Sequence, residues 1–364
     1  MIAHPNRRSN AFSHAQTRAS APLRALAALA MVTLLGACSS DDKNDGAPTV
    51  TPGTSGTITV IAQNLKVPTT VAIRNGAAWV PEGQLDHYVG GNMAPPVMPF
   101  DVVSITLPSG TATAGTVDLP GADYYPEGIA AAADGTLYIG SIKNGTIVKV
   151  APGSTTATNF IADGVLARGA LGMKVDAKRG LLWVCDSDPG QMPGGGALVA
   201  FKLSDGTKQV SHDMAATSLC NDMIIDPEGA IWATDSFGGA IYRIAAADAL
   251  TPNKASVWLQ DPAITSPPGG FGANGIALVG NRLYVSNTAT GKLVRIDPAS
   301  TTPASTVELV ALTNAGADYT LSGPDGILDV SDVDGITGPA LLVVENGLSG
   351  PMRPAVVQVA LDKE

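Results

Sequence analysis

Short apolar runs broken by Gly, Pro and Asp set the pattern of the chain from about residue 57 onward. The pattern is clearest between Leu219 and Ile244. Met223-Ile224-Ile225 runs into the turn Asp226-Pro227-Glu228-Gly229, and a second run, Ile231 to Thr234, stops at Asp235-Ser236. Gly238-Gly239 then turns the chain into a third run, Ala240 to Ile244. Runs rich in β-branched and aromatic residues, closed by turn residues, predict a meander of antiparallel strands.

The same pattern is written six times. Its first-strand position recurs at Thr69, Glu127, Leu171, Asn221, Asn274 and Asp325, with spacings of 58, 44, 50, 53 and 51 residues. A second strand follows each, marked by Trp79, Tyr138, Trp183, Trp232, Tyr284 or Leu342. A strand-only repeat of this size predicts an all-β, six-bladed β-propeller over residues 57–364, one four-stranded sheet per repeat. The last repeat supplies only three strands before Glu364, while Thr57 to Ile61 has no sheet of its own. The N-terminal strand is therefore expected to join the last blade and close the ring, which removes two exposed sheet edges.

Residues 1–37 read as a signal peptide. Arg7, Arg8, Arg18 and Arg24 precede the apolar run Ala25 to Leu35, which is too short to span a bilayer. The run ends in Leu35-Gly36-Ala37-Cys38-Ser39, which resembles a bacterial lipoprotein cleavage box; the resemblance implies lipidation of Cys38. Ser39 after the cysteine favours the outer membrane over the inner, on the periplasmic side. Residues 38–56, polar and poor in apolar groups, are expected to be a tether. Without the signal the chain carries 18 basic against 32 acidic residues, a net charge of −14. That balance argues against nucleic acid or anionic lipid as partner, leaving the lipid anchor as the expected membrane contact. Cys185 and Cys220 remain as an even pair in an exported protein, which invites a disulfide or leaves two buried thiols that never meet.

Aligning the repeats shows two polar columns. The first-strand column carries Glu127, Asn221, Asn274 and Asp325, oxygen-bearing side chains where inner strands enter the channel. The second, just past the second-strand marker, is Glu82, Ser141, Asp186, Asp235, Asn287 and Glu345, with backbone bonding as its expected main role. Carboxylate and amide oxygens without His or Cys suit a hard divalent cation, Ca²⁺ first, then Mg²⁺ or Mn²⁺, with Zn²⁺ less favoured. Each residue has a plainer reading as turn chemistry, since Pro-Glu-Gly, Asn-Gly and Pro-Asp-Gly are common turn sequences.

Those four positions, in Pro126-Glu127-Gly128-Ile129, Cys220-Asn221-Asp222-Met223, Ala273-Asn274-Gly275-Ile276 and Pro324-Asp325-Gly326-Ile327, resemble the gluconolactonase/senescence-marker-protein (regucalcin-like) propeller family. The resemblance covers residues 57 to 361 and preserves the family's order of ligands, with one ligand-free blade after Glu127. It implies one channel metal on Glu127, Asn221, Asn274 and Asp325, with Asp325 as general base in hydrolysis of a lactone or small ester. Asp222, Asp186, Asp235, Asn287 and Glu345 are rim candidates for orienting substrate. The chain departs from the family where Ser218-Leu219-Cys220 replaces its Arg, where Met223 follows Asp222, and in carrying the Glu on the second blade. His87 and His212, the histidines beyond the signal, lie outside both columns, so a His-based hydrolase is not expected. The alternative function is a non-catalytic, lipid-anchored propeller that binds a ligand or an envelope protein.

Overall fold

The computed structural model describes residues 52–191 and 195–362. The expected signal segment, Cys38 and the tether as far as residue 51 lie outside them. Five blades are built in chain order, each as an antiparallel sheet whose first strand is innermost. Blade 1 comprises Ala72–Arg74, Ala77–Pro81, Asp101–Thr106 and Thr111–Asp118; blade 2 comprises Pro126–Ala131, Leu137–Ser141, Ile147–Val150 and Ala157–Ile161. Blade 3 runs Gly169–Asp176, Leu181–Ser187, Ala197–Lys202 and Lys208–Asp213, and blade 4 Cys220–Ile225, Ile231–Asp235, Ala240–Ile244 and Ser256–Gln260. Blade 5 is Ala273–Val279, Arg282–Asn287, Lys292–Ile296 and Glu308–Asn314. Between blades the interfaces are apolar, with Trp183, Phe201, Leu182, Ile139 and Ile147 fully buried. That burial is the main stabilising term.

Blade 6 closes the ring as expected. Pro324–Asp329, Ala340–Glu345 and Ala355–Leu361 are completed by Pro52–Gln63, which pairs antiparallel with Ala355–Leu361 from Gly56↔Leu361 to Gln63↔Ala355. The closing strand begins before the expected domain boundary. Its first residues, Pro52 to Thr57, pair in parallel with Leu309 to Thr313 of blade 5, joining blades 5 and 6 into one sheet. Residues 52–56, read from composition as tether, thus belong to the fold. Their Pro, Gly, Ser and Thr residues carry little apolar signal; backbone pairing recruits them, with Ser55 Oγ also donating to Asp362 Oδ2.

Cys185 and Cys220 are joined as a disulfide, tying the second strand of blade 3 to the first strand of blade 4. The bond encloses a loop with a sequence separation of 35 residues. In the chain-entropy model such a loop contributes about 3–4 kcal/mol. Thermal unfolding of oxidised and reduced protein should therefore differ, with the reduced form melting several degrees lower. Equal midpoints would show that the bond does not constrain the unfolded chain.

Candidate functional site

The six first-strand positions form a closed ring, because each inner strand approaches the next closely. Gly128, Gly172, Gly275 and Gly326 each follow a ring residue. A Cβ on Gly128 would lie 2.1 Å from Leu171 O, and one on Gly275 2.3 Å from Asp325 O. Glycine is needed at these places because backbone of the next blade occupies the space of a side chain. The remaining junctions are bonded: Thr69 Oγ1 donates to Glu127 O (2.8 Å), Thr234 Oγ1 to Asn274 O, and Gly326 N to Thr69 O (2.9 Å). The last bond joins blade 6 to blade 1.

Hydroxyl relays fix which way the ring amides face. Asn221 Nδ2 donates to Ser236 Oγ (2.9 Å), and Ser236 Oγ donates to Ala273 O (2.6 Å). Asn274 Nδ2 donates to Thr288 Oγ1 (2.9 Å), which donates to Pro324 O (2.7 Å). A hydroxyl has one proton, and here a backbone carbonyl takes it, so the hydroxyl must accept from the amide nitrogen. Each asparagine is thereby held with its oxygen turned away from the relay. Asn346 Nδ2 plays the matching part for the acid, donating to Asp325 Oδ2 (2.9 Å). Ser236, Thr288 and Asn346 stand one residue past the second polar column. The sequence reading missed this register, although its run of small polar residues was there to see.

Glu127, Asn274 and Asp325 are each 4% exposed and Asn221 6%. Glu127 Oε2 and Asn274 Oδ1 are buried with no hydrogen-bond partner, an expensive state unless something else pairs them. Burial, then the charges of Asp325 and Asp222, push the Glu127 carboxyl well above the usual carboxylate range. Burial chiefly raises Asp325 to about 7; the hydrogen bond from Asn346 pulls it back, Asp222 raises it and Asn274 lowers it. The Asp325 charge acts on Glu127, and the Asn274 amide acts on Asp325. These three are neighbours across the ring, and Asn221 stands on the blade next to that of Asn274, with blade 3 between it and Glu127. Among the described residues no group of three or more His, Cys, Asp or Glu is placed to hold a metal. The candidate set is mixed, two carboxylates with two amide oxygens. Such a set fits a hard cation: orphaned oxygens and mutually repelling acids are relieved by one positive charge.

A stability prediction follows for the metal-free protein. Unfolded Asp325 releases its proton near the ordinary value of 3.8, the folded one near about 7. Between those values the native state holds a proton that the unfolded state has lost, so the contribution to stability falls as pH rises. Above about 7 both states are ionised and the slope ends. Chelator-treated protein should lose melting temperature from pH 5 to pH 7 relative to the Asp325→Asn variant; parallel curves would refute this.

The second column serves the scaffold. Asp186 accepts from Ala167 N (2.9 Å) and Arg168 N (2.8 Å), and Asp235 Oδ1 from Leu219 N (2.9 Å) and Gly238 N (2.9 Å). Asn287 Nδ2 donates to Ala263 O and Thr265 O, while Glu345 Oε1 accepts from Ser322 N (2.6 Å). Glu82 Oε1 accepts from Lys66 N (2.9 Å). In each case the side chain grips the segment that leads into its own blade's first strand, presetting where the ring residue enters. Asp186, Asp235, Asn287 and Glu345 thus anchor the ring residues through backbone bonds, the main role expected of their column. Asp222, the remaining rim candidate, lies deeper. It is buried in the ring, accepting from Met223 N (2.7 Å) and Ile276 N (3.4 Å), and burial raises its carboxyl above the ordinary value. It adds negative potential to the site without being on the rim.

Neither histidine is in the ring. His212 is buried in the outer strand of blade 3, its ring between Ala249 O and Lys254 N. His87 sits on the rim loop, with Nδ1 2.7 Å from Ala94 O.

Comparison with known proteins supports the architecture. The N-terminal strictosidine synthase-like family model matches residues 112–150, a stretch that includes Glu127. A comparison with curated proteins gives no match. Among solved structures, a streptogramin B lyase superposes with a TM-score of 0.53 at 12% identity, covering 84% of this chain and 97% of its own. A catalytically inactive His-to-Ala variant of virginiamycin B lyase from Staphylococcus aureus, with quinupristin, gives 0.53 at 13%, covering 84% and 99%. A structural genomics protein from Bacteroides thetaiotaomicron gives 0.57 at 12%, covering 85% and 76%. At these identities the likeness is one of fold. It is a propeller likeness. Activity has to be argued from the site.

Proposed function

We propose that this propeller hydrolyses a lactone or small ester with the help of one divalent cation, Ca²⁺ before Mg²⁺, Mn²⁺ or Zn²⁺. The observation that carries the reading is the ring itself: two buried, mutually destabilised acids, Glu127 and Asp325, beside relay-oriented asparagines, one with an unpartnered oxygen. Glu127, Asn221, Asn274 and Asp325 would hold the cation, which when bound supplies a Lewis acid for the developing oxyanion. Asp325, its orientation fixed by Asn346, is placed to take the proton of an attacking water. Asn221 and Asn274, pinned by Ser236 and Thr288, keep their oxygens from swinging out of the site. Burial of the ring excludes bulk water and strengthens every charge interaction within it.

The lyase neighbour is inactivated by a His-to-Ala change, but here His212 and His87 are committed outside the ring, so the carboxylate reading is preferred. Export and lipid anchorage at Cys38, on the periplasmic face of the outer membrane, belong to the same proposal. The test is pH-stat hydrolysis of a lactone and ester panel before and after chelation. Hydrolysis that chelation abolishes and added cation restores supports the reading. Metal-free protein inert on the whole panel would leave a non-catalytic binding scaffold.

A further inference from the structure

Two phenylalanines stand on the rim beside the ring, packed on the core from one side and open on the other. Phe237 and Phe271 stack with centroids 5.4 Å apart, and both are partly exposed. Phe237 immediately follows Ser236, the hydroxyl that holds Asn221, and Phe271 stands three residues before Asn274. Gly272 N donates to Ser236 O (2.7 Å) and Ala289 N to Phe271 O (2.9 Å), so backbone bonds lock the pair to both asparagine-bearing blades. Phe237 and Phe271 are thereby fixed beside the two amide-bearing strands.

A second observation is independent of the first. Of the large apolar side chains exposed among the described residues, Val89, Met93, Val97, Met98, Val165 and Met352 lie in loops on the ring-side face; Met93 is 94% exposed and Met352 67%. These loops follow second strands or lead into first strands, which places them around the mouth nearest Glu127 and Asp325. On a protein with a net charge of −14 outside its signal, clustering of exposed apolar groups on one face marks a ligand-facing surface. The same side also carries polar and aromatic groups: Lys143 is paired to Asp123 and lies over the Tyr125 ring, and Tyr88 OH donates to Asp188. Apolar surface therefore borders the mouth on the carboxylate side as well as beside the amides.

The geometry points to a substrate whose reacting carbonyl enters the ring while an alkyl or aryl chain lies on the Phe237–Phe271 pair. The class is an apolar-substituted lactone or ester, in place of a polyhydroxylated sugar lactone. This rests on the hydrolase reading above, so the experiment separates the two. The intact protein is assayed for hydrolysis of an alkyl γ-lactone series from γ-valerolactone to γ-undecalactone, with a sugar lactone alongside. Binding of the matching γ-lactams, which are not expected to be hydrolysed, is measured by calorimetry. Specificity (kcat/KM) and lactam affinity should each rise about four-fold per added methylene until the chain outgrows the aromatic pair. Phe237→Ser should flatten both slopes, and Phe237→Leu, which keeps apolar surface, should retain most of each. If no lactone is hydrolysed but lactam affinity still climbs with chain length in a Phe237-dependent way, the apolar subsite stands and the hydrolase reading falls. A flat chain-length profile, preference for the sugar lactone, or a slope untouched by Phe237→Ser overturns the subsite.

Discussion

Protein ending at Pro354 is expected to show no cooperative unfolding transition and to aggregate, although only its last strand has been removed. Ala355–Leu361 is hydrogen-bonded on both sides, to Ala340–Glu345 and to the closing strand Pro52–Gln63. It buries Ala355, Val357, Val359 and Leu361 on the face toward blade 5 and Val356 on the face toward blade 1. At about 1.5–3 kcal/mol per buried aliphatic side chain the loss is on the order of 10 kcal/mol. That is comparable to the whole stability of a typical domain. The closing strand loses its antiparallel partner by the same cut, keeping only the pairing of Pro52 to Thr57 with blade 5, and the bond from Gly326 N to Thr69 O, which joins the first and last blades, loses its support. Circular dichroism melting of the truncated and full chains measures this directly; a cooperative melt within a few degrees of the full chain would show that the ring does not depend on closure.

Asp325→Asn is expected to move activity and stability in opposite directions. The amide cannot take a proton from water, and loss of a general base together with one cation ligand should lower kcat/KM by about a thousand-fold or more. In the metal-free protein at pH 8 the same change removes a buried charge that repels Glu127 and Asp222, so the melting temperature should rise by a few degrees. A residue kept for packing alone would not give that pairing of outcomes. A drop in both quantities would make Asp325 a structural acid; undiminished turnover would remove it from the chemistry.

The fold was legible because a propeller repeats its grammar. Turn residues, strand lengths and the aromatic of each second strand recur at near-constant spacing, and unequal strand counts at the two ends imply closure. The site was legible in part for the same reason: Glu127, Asn221, Asn274 and Asp325 occupy one register. What escaped reading depends on contacts between blades. Ser236 and Thr288 look like ordinary strand-end residues until the carbonyls of Ala273 and Pro324, from the following blade, are seen to take their protons. Asp222 shares its sequence position with the glycines of other blades, and its burial is seen only once Met223 N and, from the following blade, Ile276 N are found to bond it. Backbone bonding by Asp186, Asp235, Asn287 and Glu345 was legible from their column, but the segment each one grips, the lead-in to its own blade's first strand, is seen only in three dimensions. Residues 52–56 lacked the apolar pattern that marks a strand, yet pair with Leu309–Thr313 through their backbone.

The central claim is that oxygens on distant repeats share one cation. Titration calorimetry of Ca²⁺ into the chelator-treated intact protein, beside Glu127→Gln and Asn274→Ala, tests it most directly. One ion per chain, bound at least ten-fold more weakly by each variant, is the predicted result. No uptake of Ca²⁺, Mg²⁺, Mn²⁺ or Zn²⁺, or uptake that both variants leave unchanged, would contradict it.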